Sequence, residues 1–254
     1  MGIIIKTQKE IEHLHEAGVR VARVVRDTAV LLKPGITTRE LDTFAEEMIR
    51  AMGDVPAFLN FTPEGAKKPY PATLCTSRNN EIVHGIPNDE PLRDGDIVSI
   101  DCGLRHNGVF VDHAVTVAVG NVSAEIQQLI DDTNIAMNLG IQQAMTGNTT
   151  GDIGYAIESF VNDRYGIVRV MSGHGVGRYI HEEPYVPNYG LPGKGVRLVE
   201  NMVIAIEPML TLGTDNVIFK KDGYTVTTKD HSLSAHFEHT VWISPTGPKI
   251  LTQL

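Results

Sequence analysis

Two aspartates occupy positions that an apolar strand does not readily tolerate. Asp101 follows the largely apolar run at 97–100, and Asp112 follows the Val-Phe-Val run at 109–111. Buried carboxylates without partners repel one another and lose their hydration. A divalent cation between the two side chains removes both costs. The pair therefore predicts a metal site in preference to the solvated face of an ordinary strand.

The sequence between the two aspartates also predicts that they lie close together. Asn107 and Gly108 are a strong signal for a two-residue β-hairpin loop. With that loop, Gly103 is opposite Asp112, and Asp101 lies two residues from Gly103 on the same face. The two carboxylates become diagonal neighbours on one side of the sheet.

Three further segments place chemically active side chains in apolar or glycine-rich surroundings. His174 lies within the glycine-rich stretch 172–177, Glu207 ends an apolar run at 204–206, and Glu238 enters another apolar run. Each is ordinarily structural when considered alone. Together with the hairpin they give four carboxylates and one imidazole, whose four negative charges match two divalent cations. An oxygen-rich set of this kind suits Mn, Fe, Co or Zn, and two such ions activate water for hydrolysis.

The overall composition narrows the class of protein. The chain has 254 residues, 42% of them hydrophobic, with a net charge of −9 and a pI near 5.5. An acidic chain without a basic block is a poor ligand for nucleic acid. No apolar run is long enough to cross a membrane, and the two cysteines, Cys75 and Cys102, are interpreted as reduced thiols. We expect a cytoplasmic protein.

The active residues need a scaffold, and the helical part of it is repeated. Residues 35–41 resemble residues 147–153 at an offset of 112, and each segment opens a helix with a capping-box pattern. Each of these helices follows another helical stretch. The predicted helices run from Thr7 to about residue 32, and over 39–52, 124–145 and 151–165.

The rest of the chain has the pattern of β-strands. The predicted strands cover 96–103, 109–119, 168–172, 202–206, 210–211, 225–228 and 236–243. Helix pairs followed by strands, twice over, predict an α+β fold with an antiparallel or mixed sheet and helices on one face. We expect one catalytic domain over 1–254, with halves of roughly 1–120 and 121–254.

Several short motifs, in order, resemble those of type I methionine aminopeptidases, which are metallopeptidases of the pita-bread fold. The motifs are Val-His-Gly-Ile-Pro at 83–87, Gly-His-Gly-Val-Gly at 173–177, His-Glu-Glu-Pro at 181–184, Ile-Glu-Pro-Met at 206–209, Ser-Leu-Ser-Ala at 232–235 and Phe-Glu-His-Thr at 237–240. The resemblance extends from the first helix to Leu251. It implies a pita-bread fold with a pseudo-twofold axis, which would explain the internal repeat.

The resemblance implies a ligand set for two divalent ions, with Co, Mn, Fe or Zn as candidates. Asp101 would chelate one ion, and Asp112 would bridge both. His174 and Glu207 would hold the second ion, and Glu238 would be the other bridge. A metal-bridging hydroxide would then attack the scissile carbonyl.

It also implies roles around the scissile bond. His181 would stabilise the developing oxyanion with one of the metals, and His84 would contact the substrate near the scissile amide. Glu207 would pass a proton to the leaving amine. The free N-terminal amine would lie near Asp101, so that only the first residue is removed. Without the resemblance, His84 and His181 are better interpreted as a turn residue and a surface residue.

The same resemblance implies a pocket for the methionine side chain. Tyr70, Cys75 and Tyr224 match positions that line it, and Ile180 stands where family members often have Phe. An aliphatic side chain there still suits a thioether.

Two features depart from the family pattern. His236 stands where Gln is usual, and on a strand it would share a face with Glu238, either close to the metal site or simply exposed. The stretch 62–71 is longer and more polar than the family's short form, and we expect a loop at the pocket rim. The remaining histidines His13, His15, His106, His113 and His231 are predicted to play no part in the chemistry.

The function expected from the resemblance is removal of the initiator methionine from nascent proteins whose second residue is small. The substrates would be N-terminal peptides, met near the ribosome, and the enzyme would be a monomer. One alternative is an aminopeptidase P or prolidase relative, which usually carries an additional N-terminal domain. Another is a binding protein of the same fold that has lost activity; such proteins typically lose metal ligands, whereas all five are present here.

Overall fold

The computed structural model describes residues 2–63 and 65–254, and it contains four α-helices close to those predicted. They are α1 (Gln8–Val30), α2 (Thr38–Ala51), α3 (Ala124–Gln142) and α4 (Thr150–Val161). Helix α4 ends before the predicted residue 165, because Asn162 adopts a left-handed conformation, with φ 44° and ψ 54°. This conformation closes a helix by turning the chain away from its axis.

Three helices begin with complete capping boxes. The pairs are Thr7 with Glu10, Thr37 with Glu40, and Thr149 with Asp152. In each pair the threonine hydroxyl accepts a hydrogen bond from the backbone amide of the third helical residue. The carboxylate of that residue accepts one from the backbone amide of the threonine. Two otherwise unsatisfied donors are thereby satisfied at each helix start.

Helices α2 and α4 are entered through matching turns. Gly35 and Gly147 both have φ of 95°, which favours glycine. Their amides donate to the carbonyl oxygens of Leu92 and Leu198, respectively. The sequence similarity at an offset of 112 therefore corresponds to the same local structure.

Within the described residues, fifteen strands form one large sheet and two small ones. In chain order they are β1 (Val55–Pro56), β2 (Leu74–Arg78), β3 (Glu81–Val83), β4 (Ile97–His106), β5 (Val109–Ala118), β6 (Gly166–Ile167), β7 (Gly173–Gly175), β8 (Glu182–Val186), β9 (Val203–Ile206), β10 (Met209–Thr211), β11 (Val217–Phe219), β12 (Val226–Thr228), β13 (Ser234–His236), β14 (Glu238–Ser244) and β15 (Gly247–Ile250). The nine-stranded sheet has the order β1-β4-β5-β14-β9-β7-β8, with β2 beside β4 and β15 beside β14. Strands β13-β10-β6 and β11-β12-β3 form the small sheets.

The fold is α+β, as predicted, and the strand pairs of the described residues are antiparallel throughout. The register of the β4–β5 hairpin is also confirmed. His106 pairs with Val109, and Gly103 pairs with Asp112. Asp101 and Asp112 therefore do share one face.

One strand prediction was wrong, and another is confirmed except for a break at one residue. The stretch 168–172 forms no strand: Val168 is buried, but Val170 is 60% exposed, so the segment follows the surface without a regular ladder. The predicted strand 236–243 is interrupted at Phe237. Its first part, β13, pairs with β10 in a small sheet, and β14 belongs to the large sheet.

The helix pairs cover one face of the large sheet. Helices α1 and α2 share one apolar cluster with the side chains at 98, 100, 102 and 104 of β4, and α3 and α4 share another with those at 204, 206, 241 and 243. Alternate side chains of the same strands point to the opposite face. Within the described residues, no helix combines the length and apolarity needed to cross a bilayer.

Candidate metal centre and substrate pocket

A row of paired residues crosses four adjacent strands on the face away from the helices. Cys75 of β2 pairs with Asp101 of β4, which pairs with Ala114 of β5, which in turn pairs with Glu238 of β14. Directly paired residues share a face, and Asp112 lies two residues from Ala114. Three carboxylates are therefore gathered on one side of the sheet by strand register alone.

His174 and Glu207 join the same face by the same alternation. Gly175 pairs with Ile204 on the helix-covered side, so the adjacent His174 points the other way. Glu207 follows Ile206, which is likewise on the helix side. His174 Nε2 lies 3.4 Å from Glu207 Oε1. Donor atoms of Asp112, His174 and Glu238 lie within 4.8 Å of one another.

The electrostatics of these carboxylates match a site for cations. Burial raises the pKa of Asp101 to about 6. Burial, reinforced by Asp101 and Glu207, raises the pKa of Asp112 well above its usual range, and burial with Asp112 does the same for Glu238. Asp101 Oδ1 and Glu238 Oε1 are buried without a hydrogen-bond partner among the described residues. Buried oxygens in this state are suited to a positive ion, so the set fits divalent metals.

Threonine side chains that the sequence analysis did not single out fix the backbone beside the site. Thr240 Oγ1 accepts from the amide of Asp112 at 2.9 Å and donates to its carbonyl oxygen at 2.8 Å. Thr116 does the same for His236, with both distances 2.8 Å. An isolated threonine in a strand carries no sequence signal for such a role, which depends on the neighbouring strand.

The structure also resolves the position of His236, which the sequence left open between the site and the surface. It is 1% exposed. Its Nε2 lies 3.5 Å from Glu207 Oε2 and 3.9 Å from Glu238 Oε2. The side chain therefore belongs to the buried cluster.

His84 and His181 lie at the edge of the cluster. The ring centroids of His181 and His174 are 4.6 Å apart, edge to face. His84 is half-buried, and burial, with His181 and His236 nearby, lowers its pKa to about 4. Its φ of 59° places it in the left-handed region, which is uncommon outside glycine and is concentrated at functional sites.

The four predicted pocket residues lie in a single apolar cluster beside the carboxylates. Tyr70, Cys75 and Ile180 are buried there, with Tyr224 packed against them. The rings of Tyr70 and Tyr224 meet edge to face at 5.0 Å, and the Tyr70 hydroxyl donates to the carbonyl oxygen of Gly85. Further apolar members of this cluster were not predicted from the sequence, namely Ala57, Phe58, Phe61, Ala72, Ile86 and Phe110.

The described residues of 62–71 form a loop that begins and ends beside this apolar cluster, and its place at the rim of a pocket stays a prediction. The Asn60 amide donates to Tyr70 O, and the Tyr70 amide donates to Phe61 O, closing the base of the loop. The Tyr224 hydroxyl donates to the carbonyl oxygen of Lys68. Residue 64 lies outside the described residues.

Of the other histidines, His15 and His231 are exposed and His13 is half-buried. His106, at the end of the hairpin, is buried instead, with Nδ1 2.6 Å from Asp54 and Nε2 3.1 Å from Glu16. It belongs to a structural hydrogen-bond network remote from the carboxylate cluster.

His113 is turned away from the face of Asp112, as the alternation of the strand predicts. Its Nδ1 donates to the carbonyl oxygen of Glu238 at 2.6 Å, and its ring stacks on His239 at 4.7 Å. The two histidines support the backbone of β14 from the face of the sheet opposite the carboxylate cluster.

Buried carboxylates and imidazoles beside an apolar cluster are the features expected of a metal-dependent hydrolase. The helix pairs lie outside a curled antiparallel sheet, which is the pita-bread architecture of one class of these hydrolases.

Comparison with known proteins agrees with this class. The model of metallopeptidase family M24 matches residues 12–245. The methionine aminopeptidase of Clostridium perfringens is 45% identical over 255 residues, which is 98% of each chain. The crystal structure of methionine aminopeptidase from Rickettsia prowazekii, 40% identical, gives a TM-score of 0.94 over 99% of this chain and 100% of that one. The Thermotoga maritima enzyme, 38% identical, gives 0.95 over the whole of both chains.

The chain therefore belongs to the methionine aminopeptidases of metallopeptidase family M24. The resemblance inferred from the motifs and the pita-bread fold are confirmed, and membership implies the use of divalent metal.

Proposed function

We propose that this enzyme removes the initiator methionine from nascent proteins whose second residue is small, with two divalent ions of Co, Mn, Fe or Zn. One observation carries the proposal: the carboxylate cluster and the apolar cluster around Cys75 are directly adjacent. Cys75 of the pocket and Asp101 of the cluster are cross-strand partners. A side chain held in the pocket thus places the bond that follows it at the cluster.

The five residues Asp101, Asp112, His174, Glu207 and Glu238 would hold the ions. Asp101 would hold one ion, His174 and Glu207 would hold the other, and Asp112 and Glu238 would be shared by both. The strand order β4-β5-β14-β9-β7 supports this division, because it puts Asp112 and Glu238 between Asp101 on one side and Glu207 with His174 on the other. When bound, the ions acidify a shared water and polarise the scissile carbonyl.

The pocket would take the methionine side chain. Tyr70 and Tyr224 offer aromatic edges, and sulfur contacts with aromatic rings are favourable. Cys75 and Ile180 complete an apolar lining that suits a thioether. The free amine of the same residue would lie at Asp101, which limits removal to the first residue of the chain.

His181, His84 and Glu207 would act on the scissile bond. His181 donates a hydrogen bond to the oxyanion as it develops, and His84 contacts the peptide nitrogen. Glu207 passes a proton to the leaving amine. The rings of His181 and Phe61 lie 5.6 Å apart at the rim, and their bulk favours a small second residue.

We place this activity in the cytoplasm, near the ribosome, where N-terminal peptides of nascent proteins emerge. The enzyme is proposed to act as a monomer with both halves, roughly 1–120 and 121–254, in one catalytic domain. The cluster draws on both halves, with Asp101 and Asp112 in the first and Glu207 and Glu238 in the second.

The test is turnover of Met-Gly-Met and Met-Lys-Met by the purified protein with Mn, Fe, Co and Zn supplied in turn. Release of methionine from the first peptide and not from the second is expected. Failure to cleave Met-Gly-Met with any of the four metals would refute the proposal. Cleavage of X-Pro peptides instead would assign the chain a prolidase-like activity.

A further inference from the structure

His236 is the one member of the buried cluster that has no place in the five-residue ligand set. Glu207, His236 and Glu238 each offer a donor atom, and these atoms lie within 4.8 Å of one another. All three side chains are at least mostly buried, with 12%, 2% and 3% of their surface exposed. They form a second group of ligand type, beside that of Asp112, His174 and Glu238.

Both ring nitrogens of His236 lack hydrogen-bond partners among the described residues. A buried imidazole without hydrogen bonds is energetically unfavourable. The nearest carboxylate oxygens are too distant from the ring to supply good hydrogen bonds. The separation from Glu207 Oε2 is 3.5 Å, and that from Glu238 Oε2 is 3.9 Å.

These separations suit atoms that share a cation. Two donor atoms, each about 2.1 Å from one ion, lie about 3.4 Å apart at a tetrahedral angle. The 3.5 Å between His236 Nε2 and Glu207 Oε2 is close to that value. So is the 3.4 Å between Glu207 Oε1 and His174 Nε2. The carboxylate of Glu207 therefore has an imidazole at ligand separation from each of its oxygens.

The backbone of His236 is fixed independently of any ion. Thr116 Oγ1 bonds both its amide and its carbonyl oxygen at 2.8 Å. Thr116 is in turn bonded to Ser99 at 2.8 Å, and both are buried. The Cα of His236 is thereby held at a fixed place, from which its ring reaches Glu207 and Glu238.

We infer that His236 is a direct ligand, through Nε2, of the cation held by Glu207 and Glu238. The inference rests on the proposed metal centre and adds a second imidazole to it. Imidazole suits Zn, Fe and other borderline metals, whereas carboxylate-rich sites suit Mn. The added ring therefore shifts the preference of this chain toward Zn, Fe or Co and away from Mn.

The test uses the full-length protein loaded with cobalt(II) and examined by proton NMR. A ligand imidazole gives a strongly shifted N–H signal that disappears in deuterium oxide, one signal for each histidine bound. Wild type is expected to show two, from His174 and His236. His236→Gln should show one, His174→Gln should show one, and the exposed control His231→Gln should retain two.

Metal affinity provides a second readout that does not depend on turnover. Replacing a neighbour that only orients a ligand weakens metal binding about 10- to 100-fold. If His236 is itself a ligand, His236→Gln should weaken one of the two zinc-binding equilibria by at least about 100-fold. The His236→Gln change should weaken manganese binding less. Calorimetric titration of metal-free protein measures both.

One shifted signal in wild type, or two in His236→Gln, would overturn the inference. If either result were found and the cobalt-loaded wild type still released methionine from Met-Gly-Met, the proposed function would stand and only the role of His236 would be refuted. If wild type bound no cobalt, the proposed metal centre and this inference would fall together.

Discussion

The segment that precedes α1 is tied to the turn that carries two residues of the site. Lys6 Nζ lies 2.5 Å from Glu182 Oε2, and their side chains are 2% and 0% exposed. Glu182 Oε1 also accepts from the amides of Arg178 and Tyr179, at 2.6 and 3.0 Å. Ile180 of the pocket and His181 thus lie within a turn that the buried ion pair holds in place.

Lys6→Met keeps the apolar stem and removes the charge, which leaves the Glu182 carboxylate buried without its cation. Breaking a buried pair in this way costs about 3–5 kcal/mol, and the two remaining backbone donors favour the lower end. For a chain of this size, about 3 kcal/mol corresponds to a fall in Tm of roughly 6–12 °C. Turnover should fall as well, because a displacement of about 1 Å near the chemistry can cost about 100-fold.

The assay compares thermal unfolding and kcat on Met-Gly-Met for wild type, Lys6→Met and Lys6→Met/Glu182→Gln. The double variant should recover part of the stability, since a neutral amide oxygen still accepts from the two backbone amides. Arg20→Met is the matched control: it breaks the 3.0 Å pair between Arg20 of α1 and the buried Asp54, which follows α2, away from the site. It should lower Tm by a few degrees and leave kcat unchanged.

The reasoning about the ion pair would be refuted by either of two results. One is a Lys6→Met variant with the Tm and kcat of wild type. The other is a double variant no more stable than the single one, because an uncompensated Glu182 charge could not then be the cause of the loss.

Three further substitutions test the site. Asp112→Asn removes a shared carboxylate, so it should reduce turnover of Met-Gly-Met by at least about 100-fold. It should also lower the metal content of the protein, measured by plasma emission. Retained activity would contradict the ligand assignment. His84→Ala should lower kcat about 10- to 100-fold with unchanged metal content, and loss of metal would show that His84 is not simply a substrate contact. Gly85→Ala places a Cβ against the carbonyl oxygen of Thr76 in β2. It should destabilise the fold by about 1–3 kcal/mol, measured by chemical denaturation. A variant as stable as wild type would mean that β2 has room to move.

The parts of the structure that were predictable depend on local chemistry. The loop at Asn107 and Gly108 sets the register of β4 and β5, and with it the shared face of Asp101 and Asp112. The threonine capping boxes likewise set where the helices begin, because both partners lie within one turn of each other.

The parts that were missed depend on contacts between segments that are distant in sequence. His236 ends β13 and Glu238 begins β14, and the break at Phe237 appears only once the two strands pair with different neighbours. His106 is buried because Asp54 and Glu16 reach it from other elements. Phe58 gives no periodic signal, since it follows a strand of two residues and packs by tertiary contact alone.

The proposed metal-dependent action depends on buried carboxylates that need divalent cations. The most direct measurement is calorimetric titration of the metal-free protein with cobalt(II), zinc(II) or manganese(II), for wild type and Asp112→Asn side by side. The proposed site predicts two equivalents bound by wild type, and weakened or incomplete binding by the variant. A wild-type protein that binds no divalent metal, or a variant that binds two equivalents as tightly as wild type, would contradict it.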